Sequence, residues 1–161
     1  MGSAIERPVA ALPVLPADLP LLERIEPSGS AAERVLRLPF EARSRSRQRA
    51  RLDDGTEVGL VLPRGSVLRH GAVVSGAGLR VRIEAADEDV LEVRCPSPLA
   101  LLRAAYHLGN RHVPVHVEAQ RLLLGYDPVL SDMLVGLGAS VRRTWLPFEP
   151  EAGAYAGHGH G

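Results

Sequence analysis

The sequence contains no lysine, and all 19 of its basic residues are arginine. Chemistry that needs an ε-amine is therefore excluded: a Walker A lysine, a Schiff-base lysine and a kinase-type phosphate lysine are all missing. Cysteine is nearly absent. Cys95 stands alone, which rules out an intrachain disulfide and a cysteine-only zinc site. An excess of charge of either sign is also lacking, because 19 acidic residues balance the arginines when the six histidines count as neutral. Zero net charge gives no electrostatic case for nucleic acid or membrane as a partner. No apolar run approaches the ~18 residues of a spanning helix. The stretch from Val9 to Leu22 is broken by Pro13, Pro16 and Pro20, so it does not read as a signal helix. A soluble, cytoplasmic protein is expected. Enzyme templates fail as well: there is no Gly-x-Ser-x-Gly elbow, no His-Glu-x-x-His helix and no Gly-x-Gly-x-x-Gly opening a helix.

What the 161 residues do hold is ordinary globular composition, 45% hydrophobic and 24% charged, enough for one domain or two small ones. Residues 1–32 are rich in Pro, Ala, Ser and Gly and read as a disordered leader. Residues 33–85 are strand-like. Leu79, Val81 and Ile83 alternate with Arg80, Arg82 and Glu84, and Asp53-Asp54-Gly55 and Pro63-Arg64-Gly65 mark turns. Arg43, Arg45, Arg47, Arg49 and Arg51 also alternate, which places all five on one solvated strand face. No aromatic lies between them to stack a base, so a nucleic-acid patch is the weaker reading.

After Ala85 the period changes. Val90 to Cys95 reads as a strand, and Ser97-Pro98 as a helix start (a cap residue, then proline at the first helical position). Leu99, Leu102, Ala105 and Tyr106 follow at helical spacing toward Gly109-Asn110. His112 to Glu118 reads as a strand, as does Arg121 to Leu124. Asp127-Pro128 repeats the cap signal before a stripe of Val129, Leu130, Met133, Leu134 and Leu137, and Ser140 to Leu146 closes the series. The fold class is α+β: an N-terminal all-β module, then a ferredoxin-like βαββαβ domain over 86–148, then a flexible tail over 149–161.

Histidine carries what chemistry there is. His112 and His116 fall on one face of the expected strand, about 13 Å apart, too far to share one small metal ion. His107 suits a helix C-terminus, and His70 a surface turn. For His107 and His116 a structural role is the simpler reading. Cys95 belongs to the apolar face of its strand and reads as an inert thiol. The tail pair His158 and His160 is different, because Gly-flanked imidazoles on a terminus have little packing purpose and suit Ni, Cu or Zn.

The run Tyr106-His107-Leu108-Gly109-Asn110-Arg111-His112-Val113-Pro114 resembles the signature of the urease accessory protein UreE family, nickel metallochaperones. The likeness extends to Leu62-Pro63-Arg64-Gly65, Ala85-Ala86-Asp87-Glu88, Val93-Arg94-Cys95, Val129-Leu130 with Asp132-Met133-Leu134, and Leu146 through Tyr155. These pieces stand in family order over about residues 40 to 160. The resemblance implies a peptide-binding-like β-domain, a ferredoxin-like metal-binding domain and a His-bearing tail. It implies a homodimer in which His112 of each subunit holds one Ni²⁺ at the interface, which removes the 13 Å difficulty because a two-fold axis supplies the second ligand. The tail can complete the shell, since the ten residues from Phe148 to His158 reach some 30 Å at ~3.3 Å each. His116 stands where the motif often has Gln, as an accessory ligand at most. Tyr126 and Pro128 replace the further histidines that some members carry before the second helix.

The mechanism so implied is delivery. An open site of few imidazoles binds Ni²⁺ yet exchanges ligands. Imidazole ligates only when neutral, so affinity falls as pH drops through about 6.5. Zn²⁺ or Cu²⁺ compete, and selectivity has to come from metal availability and from the receiving partner, which the resemblance implies is the accessory GTPase of the urease maturation complex. No catalytic residue is expected. The alternative is a protein- or peptide-binding adaptor with incidental metal affinity; a metal-dependent hydrolase is weaker still, because no general base is visible.

Overall fold

A computed structural model describes residues 13–153. The first unit contains β1 (Leu21–Leu22), β2 (Arg24–Ile25), β3 (Arg34–Leu38), one helical turn α1 (Phe40–Arg43), β4 (Arg47–Arg51), β5 (Glu57–Val61), β6 (Val73–Gly76) and β7 (Leu79–Ala85). These strands form two sheets, in the orders β1-β5-β4 and β2-β6-β7-β3. Their apolar alternate positions meet in one core that includes Leu22, Leu36, Leu60, Val81 and Ile83. The expected turns hold: Gly55 and Gly65 both take the left-handed backbone that glycine adopts at little cost.

Two expectations fail here. The reading of residues 1–32 as a disordered leader is wrong over 21–25, where β1 pairs in parallel with β5 and β2 pairs with β6. Leu22 is fully buried, and Gly76 makes room for it: a Cβ there would overlap Leu21 O and stand 3.0 Å from Leu22 Cα. The solvated arginine face is the second. It survives only for Arg47, Arg49 and Arg51 on β4, where Arg49 and Arg51 both donate to the Glu57 carboxylate. The chain turns through α1 before β4 begins, so Arg43 leaves that face and is buried instead.

The second unit runs β8 (Asp87–Arg94), α2 (Pro98–Asn110), β9 (Val115–Val117), β10 (Leu122–Gly125), α3 (Pro128–Gly136) and β11 (Ser140–Pro147). Its sheet has the order β11-β8-β10-β9 with every neighbouring pair antiparallel. Both expected caps are made: Ser97 Oγ accepts from Ala100 N–H, and Asp127 Oδ1 accepts from Val129 and Leu130 N–H. Leu91, Val93, Leu122 and Leu124 meet Ala104, Leu108 and Leu134 of the helices in a second core. The chain is thus a two-domain architecture of mixed helix and sheet, mostly sheet.

The sheet face away from the helices is divided. At one end Val90 and Leu123 pack on Phe148 and, from the first unit, Phe40. At the other, Glu92 is 4% exposed and accepts from Arg121 (3.0 Å), Arg142 (2.6 Å) and Arg94 (2.9 Å). These guanidiniums hold its carboxyl down at about 2. Among the described residues no helix is long and apolar enough to cross a membrane.

Candidate metal centre

The site is built from the end of α2 outward. Leu101, Ala104, Ala105 and Leu108 turn toward the second core, which leaves Leu99, Leu102 and Tyr106 exposed along the other side. The helix closes when Arg111 N–H donates to Leu108 O and His112 N–H to Gly109 O (3.0 Å). His112 then takes φ 56°, a left-handed backbone in which a residue with a Cβ is strained. This corrects the strand expected over His112–Glu118. Only Val115–Val117 is strand, because the left-handed turn and Pro114 intervene. His112 and His116 do not share a strand face, and the strand spacing between them does not apply.

The turn leaves His112 exposed at a cavity of about 390 Å³, which it lines with Val113, Pro114, Tyr126 and Phe148. Asp127 is beside it, but its Oδ1 is committed to capping α3. Among the described residues no three His, Cys, Asp or Glu side chains come together to hold a metal ion. His112 is the one sequence-predicted ligand that the described residues include. His158 and His160 lie outside them.

Of the other described histidines, His116 and His70 each accept a backbone hydrogen bond. His116, on β9, accepts Glu149 N–H through Nδ1 at 3.2 Å, and its Nε2 is 3.6 Å from Glu118. Neutral imidazole that accepts at Nδ1 carries its proton on Nε2, so no lone pair remains for a metal. That removes the accessory-ligand role while this bond stands. Burial lowers the pKa of His116, only partly opposed by Glu118. A histidine with a depressed folded pKa loses stability as pH falls from its unfolded value of about 6.5 toward the folded one. Denaturation at pH 7.5 and pH 5 should therefore show a larger loss for the parent chain than for His116→Gln; equal losses would contradict this placement.

His70 is exposed, as expected, and its Nδ1 accepts Ala85 N–H at 3.1 Å. His107 sits in the last turn of α2, its ring edge-on to Tyr106. Burial raises the Cys95 thiol above its ordinary pKa, which keeps it from acting as a ready thiolate ligand.

The tail does not begin where composition puts it. Phe148 and Pro150 are buried, and residues 148–151 are bonded on both sides. Sequence reasoning missed this segment and its main partner, Arg43. Nothing in the arginine alternation distinguishes Arg43 from its exposed neighbours.

Comparison with known proteins follows the same division. Residues 16–86 match the family model described as UreE urease accessory protein, N-terminal domain, and residues 88–161 match the C-terminal domain of the same family. The chain is 60% identical over 143 residues to the urease accessory protein UreE of Ralstonia nicotianae, covering 83% of this chain and 68% of that one. It is 60% identical over 130 residues to the proteins of the same name from Burkholderia thailandensis and a strain of Burkholderia pseudomallei, covering 78% of this chain. The aligned part is 61% and 64% of those two relatives, so the chain spans somewhat less than two thirds of their length.

Proposed function

The chain belongs to the urease accessory protein UreE family, and from that premise we propose that it is a nickel-binding metallochaperone, not an enzyme. It takes up Ni²⁺ as cargo and delivers it for assembly of the urease metallocentre. The site lies at a homodimer interface, with His112 from each subunit on one ion and His158 and His160 of the tail completing the shell. The receiving partners are the accessory GTPase and the urease maturation complex, in the cytoplasm. Zn²⁺ and Cu²⁺ compete for the imidazoles.

The observation that carries this reading is His112 itself. It is a solvent-facing imidazole held in left-handed backbone, where glycine is cheaper. Such strain is retained where a side chain is needed. Tyr126, which lines the His112 cavity, is exposed, as are Leu102 and Tyr106 on α2 and Val129 on α3, apolar surface of the kind that a second copy would cover. The order β11-β8-β10-β9, antiparallel throughout, supports a ferredoxin-like fold for the metal-binding domain. We place that domain at 86–148, after the β-rich domain that ends at 85.

Nickel titration tests the reading. His112→Gly should lower Ni²⁺ affinity at least tenfold while folding stability rises by about 1 kcal/mol as the left-handed strain is relieved. A loss of binding with a gain of stability cannot come from misfolding. A chain ending at Gly157 should bind more weakly too. If neither change weakens Ni²⁺ binding per dimer, the carrier reading fails and the adaptor reading takes its place.

A further inference from the structure

The sheet of the second unit packs its helices on one face, with Leu91 and Val93 of β8 turned toward them. Val90, Glu92 and Arg94 alternate with these and point to the other face. The register of β11 sets Arg142 opposite Glu92 and Ser140 opposite Arg94, which places both on that same face. Its Val90 end is covered by Phe148 and by Phe40 of the first unit. The Glu92 end stays open: the side chains of Arg142 and Arg94 are 71% and 53% exposed.

Glu92 gathers more arginine there than charge balance calls for. Five N–H donors from Arg94, Arg121 and Arg142 converge on its two oxygens, which offer about four lone pairs. Glu118 takes two more from Arg121. Three positive charges thus meet two negative ones, and the surplus falls to Arg94 and Arg142. Among the described residues nothing accepts from Nη1 of either. Holding like charges side by side is unfavourable, and one bidentate arginine would already pair with Glu92. The cluster is therefore better matched to a second anion on its solvent side than to Glu92 alone.

We propose that this end of the sheet face is a docking surface for an acidic peptide segment of a protein partner, whose side-chain carboxylates bind the outer donors of Arg94 and Arg142. Glu92 positions the guanidiniums from behind and, being buried, does not compete on the solvent side. Charge complementarity selects this occupant. A surplus of about one charge suits single carboxylates, and the partly exposed Glu118 beside it repels a polyanion. The sheet positions there, Ser140, Arg142 and Arg94, include no aromatic ring on which a nucleic-acid base could stack. The surface is on the opposite side of the sheet from α2 and α3, so it stays open in the dimer proposed above and needs no metal.

The test is fluorescence anisotropy of a labelled, acetylated hexaglutamate peptide with the full chain at about 50 mM salt. Arg142→Gln should weaken binding about three- to tenfold, the loss of a charge-assisted contact at an exposed site, and Arg142→Glu should abolish it. Arg94→Gln should cost about threefold and replaces Arg142→Gln if that variant fails to fold. Arg64→Gln, on an exposed turn of the first unit, should change nothing. Equal losses in Arg64→Gln and Arg142→Gln would mean that the peptide senses overall charge alone, and would overturn the proposal. No binding by the parent chain would overturn it as well. So would tighter, Arg142-dependent binding of an oligothymidylate of equal charge, which would make the surface a nucleic-acid site.

Discussion

Replacing Glu92 with glutamine should lower folding stability by about 3 kcal/mol, near the low end of the cost of breaking a buried ion pair. The carboxylate is 4% exposed and lies between arginines from β8, β11 and the segment before β10. Glutamine would keep the shape but turn amide hydrogens toward guanidiniums that already have donors to spare. The cost stays at the low end because Arg94 and Arg142 are exposed and keep much of their hydration. The pH profile adds a signature. Hydrogen bonds from Arg121, then Arg142, put the Glu92 pKa at about 2, so its contribution is present above the unfolded value of about 4.5 and is lost as pH falls through about 2. Acid titration of stability should be flatter for Glu92→Gln than for the parent in that window. A loss below about 1 kcal/mol, or parallel profiles, would show that the three arginines do not depend on this charge.

Gly76→Ala is expected to cost about 3 kcal/mol, the upper end for forcing atoms into a packed site. The added methyl has backbone on the other side, Leu21 O and Leu22 Cα, and no flexible side chain that could yield. The strand β2 pairs with β6 through Arg24 and Ser75, so displacing Leu21–Leu22 should loosen both short strands together. Chemical denaturation measures the loss, and hydrogen exchange should show the Gly59 amide, which donates to Pro20 O, losing protection first. Unchanged stability would mean that β1 is not part of the cooperative unit.

These two sites also mark where sequence reasoning stops. The βαββαβ order was legible because each helix announces itself with a cap residue and proline, at Ser97-Pro98 and Asp127-Pro128, and the strands by alternation, as over Val90–Cys95, or by a short apolar run, as over Arg121–Leu124. β1 and β2 were not. A two-residue strand shows no period, and the prolines around it read as a leader. Glu92 alternates with Leu91 and Val93 and so looks solvent-facing; arginines distant in sequence are what bury it. Arg43 illustrates the same limit, since its alternation with Arg45 and Arg47 continues across a helical turn that the pattern does not reveal. At the candidate site, His112 was legible through the motif around it. Its left-handed backbone was not, because the glycine and asparagine that announce a helix end stand three and two residues earlier and are themselves helical.

The bond from Glu151 N–H to Val115 O has a consequence for how copies of the chain avoid one another. β9 is one of the two edge strands of its sheet, and an edge strand with open backbone groups invites another chain to pair with it. The segment after β11 folds back over this border and occupies one of those groups. Short as it is, it acts as a cover strip that keeps the border from serving as a template. In the dimer proposed above, a covered β9 edge leaves one fewer surface on which copies could pair wrongly.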